Sequence, residues 1–575
     1  MKTRLRFPWL RLLVAAAIAF APVPAAAAAP VGAEHGMVVT AHELATKVGI
    51  DVLQRGGNAI DAAVAVGYAL AVVYPAAGNL GGGGFMTLQL ADGRKTFVDF
   101  REKAPLAATA NMFLDSAGNV VRGASTLGHL AVGVPGTVAG LEYAREKYGT
   151  FPRAQLIAPA LSFAKRGFVL NQGDIALFAV ANTDFGDDAA TAAIFLDRGK
   201  PFKAGDRLVQ KDLANTLRLI AQLGTDAFYQ GPIGDAIAAA SAAGKGIITK
   251  ADLQRYKVRE LAPLECDYRG YHIVSAPPPS SGGAVICEML NILEGYPLKD
   301  LGFHSAASVH YQIEAMRHAY FDRNNYLGDP DFVKNPLDRL LDKRYAKSVR
   351  ASINPAKASL SRDLKSGTAP HEGINTTHYS IVDNQGNAVS VTYTLNNWFG
   401  ARVIAAGTGI LLNDEMDDFT IKPGVPNLYG LVQGQANAIA PGKRPLSSMT
   451  PTIVSRDGKP VMLIGAAGGS RIISVVALCI VNVIDYGMNI QDAIDAPRFH
   501  QQWLPETTSV ENAALSTEVH KSLIDMGHRL ADATPAGRAT GILVGAPSLA
   551  GKPGGKERYY GAIDQRLGTG LAAGY

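Results

Sequence analysis

Cysteine is scarce in this sequence, which has only Cys266, Cys287 and Cys479 in 575 residues. The three positions do not have the spacing of metal ligands, so the sequence offers no cysteine-based metal site. A Cys266–Cys287 disulfide and buried free thiols are both compatible with this spacing. The state of all three cysteines is therefore left open.

Long runs of basic residues are missing too. Lys and Arg total 55 against 50 Asp and Glu, and the resulting net charge of +5 is spread along the chain. Nucleic-acid-binding proteins concentrate positive charge on one face, so no nucleic-acid partner is expected. The stretches "GAAGGS" and "GNLGGGGF" depart from the dinucleotide and phosphate-loop motifs, and we expect no cofactor and no metal.

Apolar segments long enough to suggest a membrane span are few. Residues 1–29 begin with the basic "MKTRLR", continue with the short apolar "LRLLVAAAIAFA" and end in small residues, as a signal peptide does. They predict export to the periplasm, with an uncleaved membrane anchor as the alternative. The run "RIISVVALCIVNVIDYG" is interrupted by Ser474 and Asn482 and predicts a core helix.

The chain does have a large apolar fraction, 47%, which is typical of a globular protein with a sizeable core. The stretch "HELATKVGIDVLQRGGNAIDAAVAVGYALAVV" predicts two helices separated by Gly56 and Gly57, and "FMTLQLADGRKTFVDF" predicts two strands. Further helices are predicted in "PGTVAGLEYAREKYG", in "SVHYQIEAMRHAYFDRNNYL" and after the proline-rich "APPPSSGG".

The apolar periodicity is lost between Asn354 and Asn375, where Pro, Gly, Ser and charged residues predominate. This composition predicts an exposed, mobile connection and makes the segment the best candidate for a boundary within the chain. Strand-like sequence resumes at Thr376.

The two strand-like runs "TTHYSIVD" and "AVSVTYTLN" predict a β-hairpin around the loop 384–386. A three-residue loop with glycine last fixes the register, because it suits a type I turn followed by a left-handed residue. Counting outward from this loop sets Thr376 opposite Thr394, whereas Thr377 points to the other face of the sheet.

A threonine hydroxyl needs a base to become a nucleophile, and the sequence places no His/Asp pair beside Thr376. His378 lies on the same face but two residues along. The α-amino group of Thr376 itself would serve, if the Asn375–Thr376 peptide bond were cut. The plain alternative is that threonine is simply common in strands.

Several motifs decide between these interpretations. They are "GGNAIDAAVA", "GNLGGGGFM", "VDFREKAP", "TTHYSIVD", "SVTYTLNNWFG", "GILLNDEMDDF", "KRPLSSMTPTIV", "GAAGGSRI" and "DAPRFHQQWLP". In this order they resemble the γ-glutamyltranspeptidase (glutathione hydrolase) family of N-terminal nucleophile hydrolases. The resemblance implies an α+β fold, a four-layer αββα sandwich, and a precursor that cuts itself into a large subunit (30–375) and a small catalytic subunit (376–575).

The resemblance also implies roles for individual residues. Thr376 would be the nucleophile, Thr394 would hold its hydroxyl, and the backbone amides of Gly468 and Gly469 would stabilise the oxyanion. The remaining residues would bind the zwitterionic end of a γ-glutamyl donor: Arg101, Ser447 and Ser448 its carboxylate, Asn396, Glu415 and Asp418 its ammonium group, with Tyr429 closing over it from a lid loop at 422–434.

The expected function is thus a periplasmic γ-glutamyl hydrolase and transferase that acts on glutathione, with amino acids or peptides as acceptors. A glutaryl or cephalosporin acylase of the same superfamily is the first alternative. The negative charges of Glu415 and Asp418 argue against it, because a glutaryl group carries no ammonium. An exported binding protein without activity is the second alternative.

Overall fold

The computed structural model describes residues 28–361, 375–512, 514–566 and 568–575. Most of the predicted signal peptide and the connection from 362 to 374 lie outside the described residues. None of the helices in the described part of the chain is long and apolar enough to cross a membrane.

Two large sheets dominate the described residues. The strands are β1 Val31–Ala33, β2 Met37–Thr40, β3 Gly83–Gln89, β4 Lys95–Phe100, β5 Phe168–Val169, β6 Arg207–Leu208, β7 Arg259–Leu261, β8 Leu264–Tyr268, β9 Tyr271–Ser275, β10 Thr377–Val382, β11 Ala388–Thr394, β12 Ile404–Ala405, β13 Ile410–Leu411, β14 Thr452–Arg456, β15 Lys459–Ala467, β16 Phe499–His500, β17 Thr507–Glu511, β18 Arg529–Ala533, β19 Arg538–Val544, β20 Tyr559–Ile563 and β21 Leu571–Gly574.

The described residues also contain α-helices, some of which cover the outer faces of the two large sheets. They are α1 Glu43–Gln54, α2 Ala59–Val73, α3 Thr137–Tyr148, α4 Arg153–Arg166, α5 Gln172–Phe178, α6 Ala189–Phe195, α7 Lys211–Leu223, α8 Thr225–Tyr229, α9 Pro232–Ala243, α10 Lys250–Gln254, α11 Gly282–Leu293, α12 Leu298–Leu301, α13 Ala306–Tyr326, α14 Leu337–Leu340, α15 Lys343–Ser352, α16 Ile472–Ile484, α17 Ile490–Asp495 and α18 Thr517–Asp525.

The layers follow the order helix, sheet, sheet, helix. One sheet has the strand order β1-β20-β19-β15-β14-β9-β8, and the other has the order β21-β2-β10-β11-β3-β4-β7. The sheets pack face to face through β10 and β11 against β15 and β19, while α2 covers the second sheet and α11 and α16 cover the first. The expected αββα sandwich is confirmed.

The sequence signals for the first helices hold in the structure. Helix α1 ends before Gly56 and Gly57, and α2 begins after Asn58, whose side chain accepts from the Asp61 amide while the Asp61 carboxylate accepts from the Asn58 amide. Such reciprocal capping satisfies two amides that a helix start would leave unpaired. Every residue of α2 is buried, so this helix forms the middle of its layer.

The predicted hairpin register is confirmed. The ladder runs from Thr377 opposite Tyr393 to Val382 opposite Ala388, and Gly386 closes the loop with a φ of 93°. Strand β10 begins at Thr377, one residue later than predicted, because the backbone of Thr376 leaves the extended conformation.

The cysteines resolve into one bridge and one thiol. Cys266 on β8 is bonded to Cys287 on α11, which fastens that helix to the edge of the first sheet. Cys479 lies buried within α16, where burial raises the pKa of its thiol to about 11. The predicted core helix is therefore confirmed, and its thiol stays protonated at neutral pH.

Candidate active site

A pair of threonine hydroxyls lies where the second sheet meets the first. The Oγ atoms of Thr376 and Thr394 are 3.2 Å apart, and Thr394 Oγ also accepts a hydrogen bond from the Asn396 amide at 2.9 Å. A hydroxyl that accepts one hydrogen bond keeps its own hydrogen, so Thr394 can donate to Thr376 Oγ. The hairpin register thus brings together the two hydroxyls that the sequence predicted.

The peptide bond before Thr376 has an unusual environment. The carbonyl oxygen of Asn375 accepts hydrogen bonds from the amides of Gly468 at 3.3 Å and Gly469 at 3.2 Å. Thr376 has a φ of +126°, a region that costs a residue with a side chain roughly 1–3 kcal/mol. The peptide bond is therefore followed by a strained residue, Thr376, and preceded by a polarised carbonyl, that of Asn375.

Glycine is required in the turn that supplies these amides, which links β15 to α16. Gly468 and Gly469 have φ values of 145° and 55°, and a Cβ on Gly469 would lie 2.3 Å from the ring of Tyr429. The turn also stands at the N-terminal end of α16, where the helix dipole favours negative charge. The site can therefore stabilise an oxyanion.

Among the described residues, no histidine lines the pocket that holds Thr376. His378 is buried, and its two ring nitrogens are bonded to Thr392 Oγ at 2.8 Å and Ser380 Oγ at 3.0 Å. Burial lowers the pKa of His378 to about 3, so the ring is neutral at physiological pH. The expectation that His378 is not the base for Thr376 agrees with this geometry.

A buried ion cluster forms another wall of the site. The guanidinium of Arg101 donates to Glu415 and Asp418, and it lies 3.5 Å from Glu102. From the sequence, Arg101 is expected to bind a substrate carboxylate and the two acids an ammonium group. Here these opposite charges pair with one another, and their separate roles stay predictions.

The cluster contains more acid than base. Three carboxylates surround one guanidinium, and the Oε2 atom of Glu415 is buried without a hydrogen-bond partner among the described residues. Burial raises the pKa of Glu102 to about 7, and it raises that of Glu415 well above its ordinary value. An added cation would relieve this excess.

Two serines form a further part of the pocket lining. Ser447 is held through its backbone, because its carbonyl accepts from the hydroxyl of Ser281 at 2.6 Å and its amide donates to the Pro279 carbonyl at 2.8 Å. Ser448 Oγ accepts from the guanidinium of Arg323 at 3.0 Å. Both serines line the same pocket as Thr376.

The predicted lid loop covers the pocket. Tyr429 is 4% exposed, donates from its hydroxyl to the Asn396 carbonyl at 2.8 Å and packs on Gly469. The backbone amide of its neighbour Leu428 donates to the Asp417 carboxylate, which fastens the loop to the 3₁₀ turn Glu415–Asp418. The loop therefore closes the site in this structure.

One pocket gathers nearly all the predicted site residues. It is lined by Arg101, Thr376, Thr394, Asn396, Glu415, Asp418, Tyr429, Ser447, Ser448, Met449, Gly469 and Ile472. Gly468 contributes through its amide.

Sequence reasoning missed two residues of α13 that support the site. Tyr320 donates to the Ser470 carbonyl beside the glycine turn, and Arg323 reaches Ser448. Their spacing of three places both on one face of the helix. That spacing within "YFDRNNYL" was the available signal, but it does not reveal that the face is buried.

Among the described residues, one cluster has the composition of a metal site, namely His310, Glu314 and His528. His310 Nδ1 is hydrogen-bonded to His528 Nε2 at 2.8 Å, and Arg317 lies 3.4 Å from Glu314. The guanidinium competes with a cation for the carboxylate. None of these residues lines the threonine pocket.

Comparisons with known proteins agree with this geometry. The sequence model of the family described as Gamma-glutamyltranspeptidase matches residues 45–573. A glutathione hydrolase proenzyme of a Pseudomonas species is 68% identical over 565 residues, covering 98% of each chain, and that of Escherichia coli is 50% identical over 552 residues, covering 95% of this chain and 93% of that protein. The solved cephalosporin acylase from Bacillus halodurans has a TM-score of 0.83 at 27% identity, covering 96% of this chain and 98% of that one.

Proposed function

Because the chain belongs to the γ-glutamyltranspeptidase family, we propose that it cleaves the γ-glutamyl amide bond of glutathione and related compounds. The glutamyl group passes to water or to an amino acid or peptide acceptor. Thr376 is the nucleophile. The precursor cuts itself between Asn375 and Thr376 into a large subunit, residues 30–375, and a small catalytic subunit, residues 376–575.

This proposal rests on the position of the Asn375 carbonyl, which two glycine amides bind while the paired hydroxyl of Thr376 follows it in the chain. Preorganised amides that face a carbonyl oxygen are each worth about 2.7–4 kcal/mol when that oxygen becomes an anion. Such an arrangement supports attack on the Asn375–Thr376 bond by the chain itself.

Cleavage follows as an acyl shift. Thr376 Oγ adds to the carbonyl carbon of Asn375, and the resulting oxyanion accepts hydrogen bonds from the amides of Gly468 and Gly469. The carbon–nitrogen bond then breaks, and the hydroxyl proton passes to the departing nitrogen, which leaves an ester on Oγ and a free α-amine. Water hydrolyses this ester, which frees the Asn375 carboxylate and restores the hydroxyl.

Turnover reuses the same groups. The free α-amine of Thr376 takes the proton of its own hydroxyl, and Thr394 holds that hydroxyl in position. After cleavage the Asn375 carbonyl no longer accepts hydrogen bonds from the amides of Gly468 and Gly469. The carbonyl oxygen of the donor then accepts them instead. The α-amine returns the proton to the leaving amine, and water or an acceptor amine then attacks the γ-glutamyl ester.

The zwitterionic end of the donor binds on the opposite walls of the pocket. Its α-carboxylate binds at Ser447 and Ser448, with Arg101 nearby, and its ammonium binds at Asn396, Glu415 and Asp418 under the cover of Tyr429. The excess of carboxylates around Arg101 supports this assignment, because an ammonium would relieve it.

An acylase acting on glutaryl groups is the second candidate, because the similar structure from Bacillus halodurans is a cephalosporin acylase. A matched pair of γ-glutamyl and glutaryl anilides separates the two functions. We expect a kcat/KM that is much higher for the γ-glutamyl donor. A preference for the glutaryl donor would assign the chain to the acylases, and turnover of neither would favour a binding protein without activity.

Export to the periplasm is part of the same proposal. Its support comes from the basic, then apolar, then small-residue order of residues 1–29. Fractionation of cells that express the full chain tests it, since the processed subunits are expected in the periplasmic fraction.

A further inference from the structure

Arg323 is a buried arginine without an acidic partner. It lies on α13, is 1% exposed, and forms no ion pair with any carboxylate of the described residues. Its donors go to neutral oxygens instead: Nε to Ser281 Oγ at 2.9 Å, Nη1 to Asn324 Oδ1 at 2.8 Å and Gln433 Oε1 at 3.2 Å, and Nη2 to Ser448 Oγ at 3.0 Å. These bonds use four of its five N–H donors, and no carboxylate of the described residues lies within ion-pair distance of its charge.

Arg101 provides the contrast. Its guanidinium bonds to two carboxyl groups and lies near a third, so it has the acidic partners that Arg323 lacks. Accordingly the pKa of Arg101 is raised, whereas burial lowers the pKa of Arg323 to about 10. A buried charge without a counter-ion is unfavourable, so an anion bound near Arg323 would be stabilised.

Ser448 connects this charge to the pocket. Its Oγ accepts from Arg323, so its own hydroxyl hydrogen is left to donate to an anion. A hydroxyl polarised by a cation is a stronger donor than a free one. Ser281 extends the effect, because it accepts from Arg323 and donates to the Ser447 carbonyl at 2.6 Å.

Arg323 also contacts Gln433, the side chain just before Gly434 at the end of the lid loop. Arg323 could use the same hydrogen bonds only to hold α13, Ser448 and the lid loop together, as a structural clamp. The two roles differ in charge. A clamp needs only donors, whereas recognition of an anion needs the positive charge.

We infer that Arg323 is a positioning residue for the α-carboxylate of the donor, and that it supplies, through Ser448, the positive charge that this carboxylate needs. The inference rests on the proposed γ-glutamyl function. Selectivity for donors with a terminal carboxylate would then depend on a residue that lies behind the pocket wall.

Three anilide donors test this inference. The γ-glutamyl anilide carries both charges, the glutaryl anilide only the carboxylate, and the 4-aminobutyryl anilide only the ammonium. Arg323→Gln keeps donors for hydrogen bonds but removes the charge. We expect it to lower kcat/KM roughly 10- to 150-fold for the first two donors, mainly through KM, and to leave the third unchanged.

Two further variants guard against a folding defect. Arg323→Lys keeps the charge, and we expect it to restore part of the loss for the two donors with a carboxylate. Arg317→Gln removes another buried arginine of α13, one whose contacts are Glu314 and Ser361 rather than the pocket. Any effect it has on the processed protein should be equal for all three donors.

Equal losses for all three donors in Arg323→Gln, or no rescue by lysine, would overturn the inference and leave a clamp. Where the 4-aminobutyryl anilide reacts too slowly, inhibition by glutamate and by 4-aminobutyrate gives the same comparison. If the wild-type protein does not turn over the γ-glutamyl donor, the proposed function is wrong. The glutaryl data on Arg323→Gln test only the inference about Arg323 and do not decide the proposed function.

Discussion

The carbonyl oxygen of Asn375 accepts a hydrogen bond from the amide of Gly469 at 3.2 Å, beside a second one from Gly468 at 3.3 Å. The peptide bond before Thr376 thus occupies the donors that a substrate carbonyl would need. A precursor with this geometry blocks its own oxyanion site. Activity toward external donors is therefore expected only after the bond is cut.

Gly469→Ala tests the shared use of this turn. The new Cβ would meet the ring of Tyr429 at 2.3 Å, and φ is +55°, so the amide must move. Losing one oxyanion donor costs about 10²–10³ in rate, and we expect losses of this size in both processing and turnover. Band intensities over time and anilide assays measure the two rates.

Gly386→Ala is the matched control for Gly469→Ala. Gly386 has a φ of +93°, but nothing lies within 4 Å of an added Cβ. The variant should lose about 1–2 kcal/mol of stability through its left-handed backbone and process at the normal rate. Normal processing in Gly469→Ala would show that the turn does not act on the chain's own carbonyl.

Asp418→Asn tests recognition of the ammonium. Removing one member of a buried charge pair costs roughly 2–5 kcal/mol, and 3 kcal/mol corresponds to a loss of about 150-fold in kcat/KM. We expect such a loss on the γ-glutamyl anilide and little or none on the glutaryl anilide, which has no ammonium. Equal losses on both donors would mean that Asp418 does not bind the amine and instead only holds Arg101 in place.

The pH profile tests the identity of the base. An α-amino group titrates near pH 7.7–8.0, so kcat/KM should rise with pH as Thr376 loses its ammonium proton. Because burial lowers the pKa of His378 to about 3, the ring stays neutral across this range and adds no step to the profile. His378→Gln should therefore keep the same midpoint, and a midpoint that moves with this substitution would contradict the α-amine as base.

Local signals made the hairpin and the threonine pair predictable. The loop 384–386 fixes the register through turn geometry alone, and this register sets the hydroxyls of Thr376 and Thr394 side by side. The one-residue error at the strand start arose because the positive φ of Thr376 depends on contacts of Asn375 with a turn almost a hundred residues away.

Contacts between distant segments were beyond sequence reasoning. Cys266 and Cys287 meet only because α11 packs on β8, which their spacing does not reveal. The direct pairing of Arg101 with Glu415 likewise depends on how two distant parts of the chain fold together. Arg323 was missed because a charged residue in a helix is normally exposed. Its burial follows from contacts with Ser281, Gln433 and Ser448, which lie far from it in the sequence.

Cleavage between Asn375 and Thr376 must precede turnover if the α-amine of Thr376 is the base, and N-terminal sequencing with intact-mass analysis of the purified protein detects it. Wild-type protein and Thr377→Ala should give a small chain that begins at residue 376 and ends at Tyr575. Thr394→Ala should do so more slowly, and Thr376→Ala should stay uncut and inactive. A wild-type chain that stays intact, a small chain that begins at Thr377, or cleavage of Thr376→Ala would contradict the account.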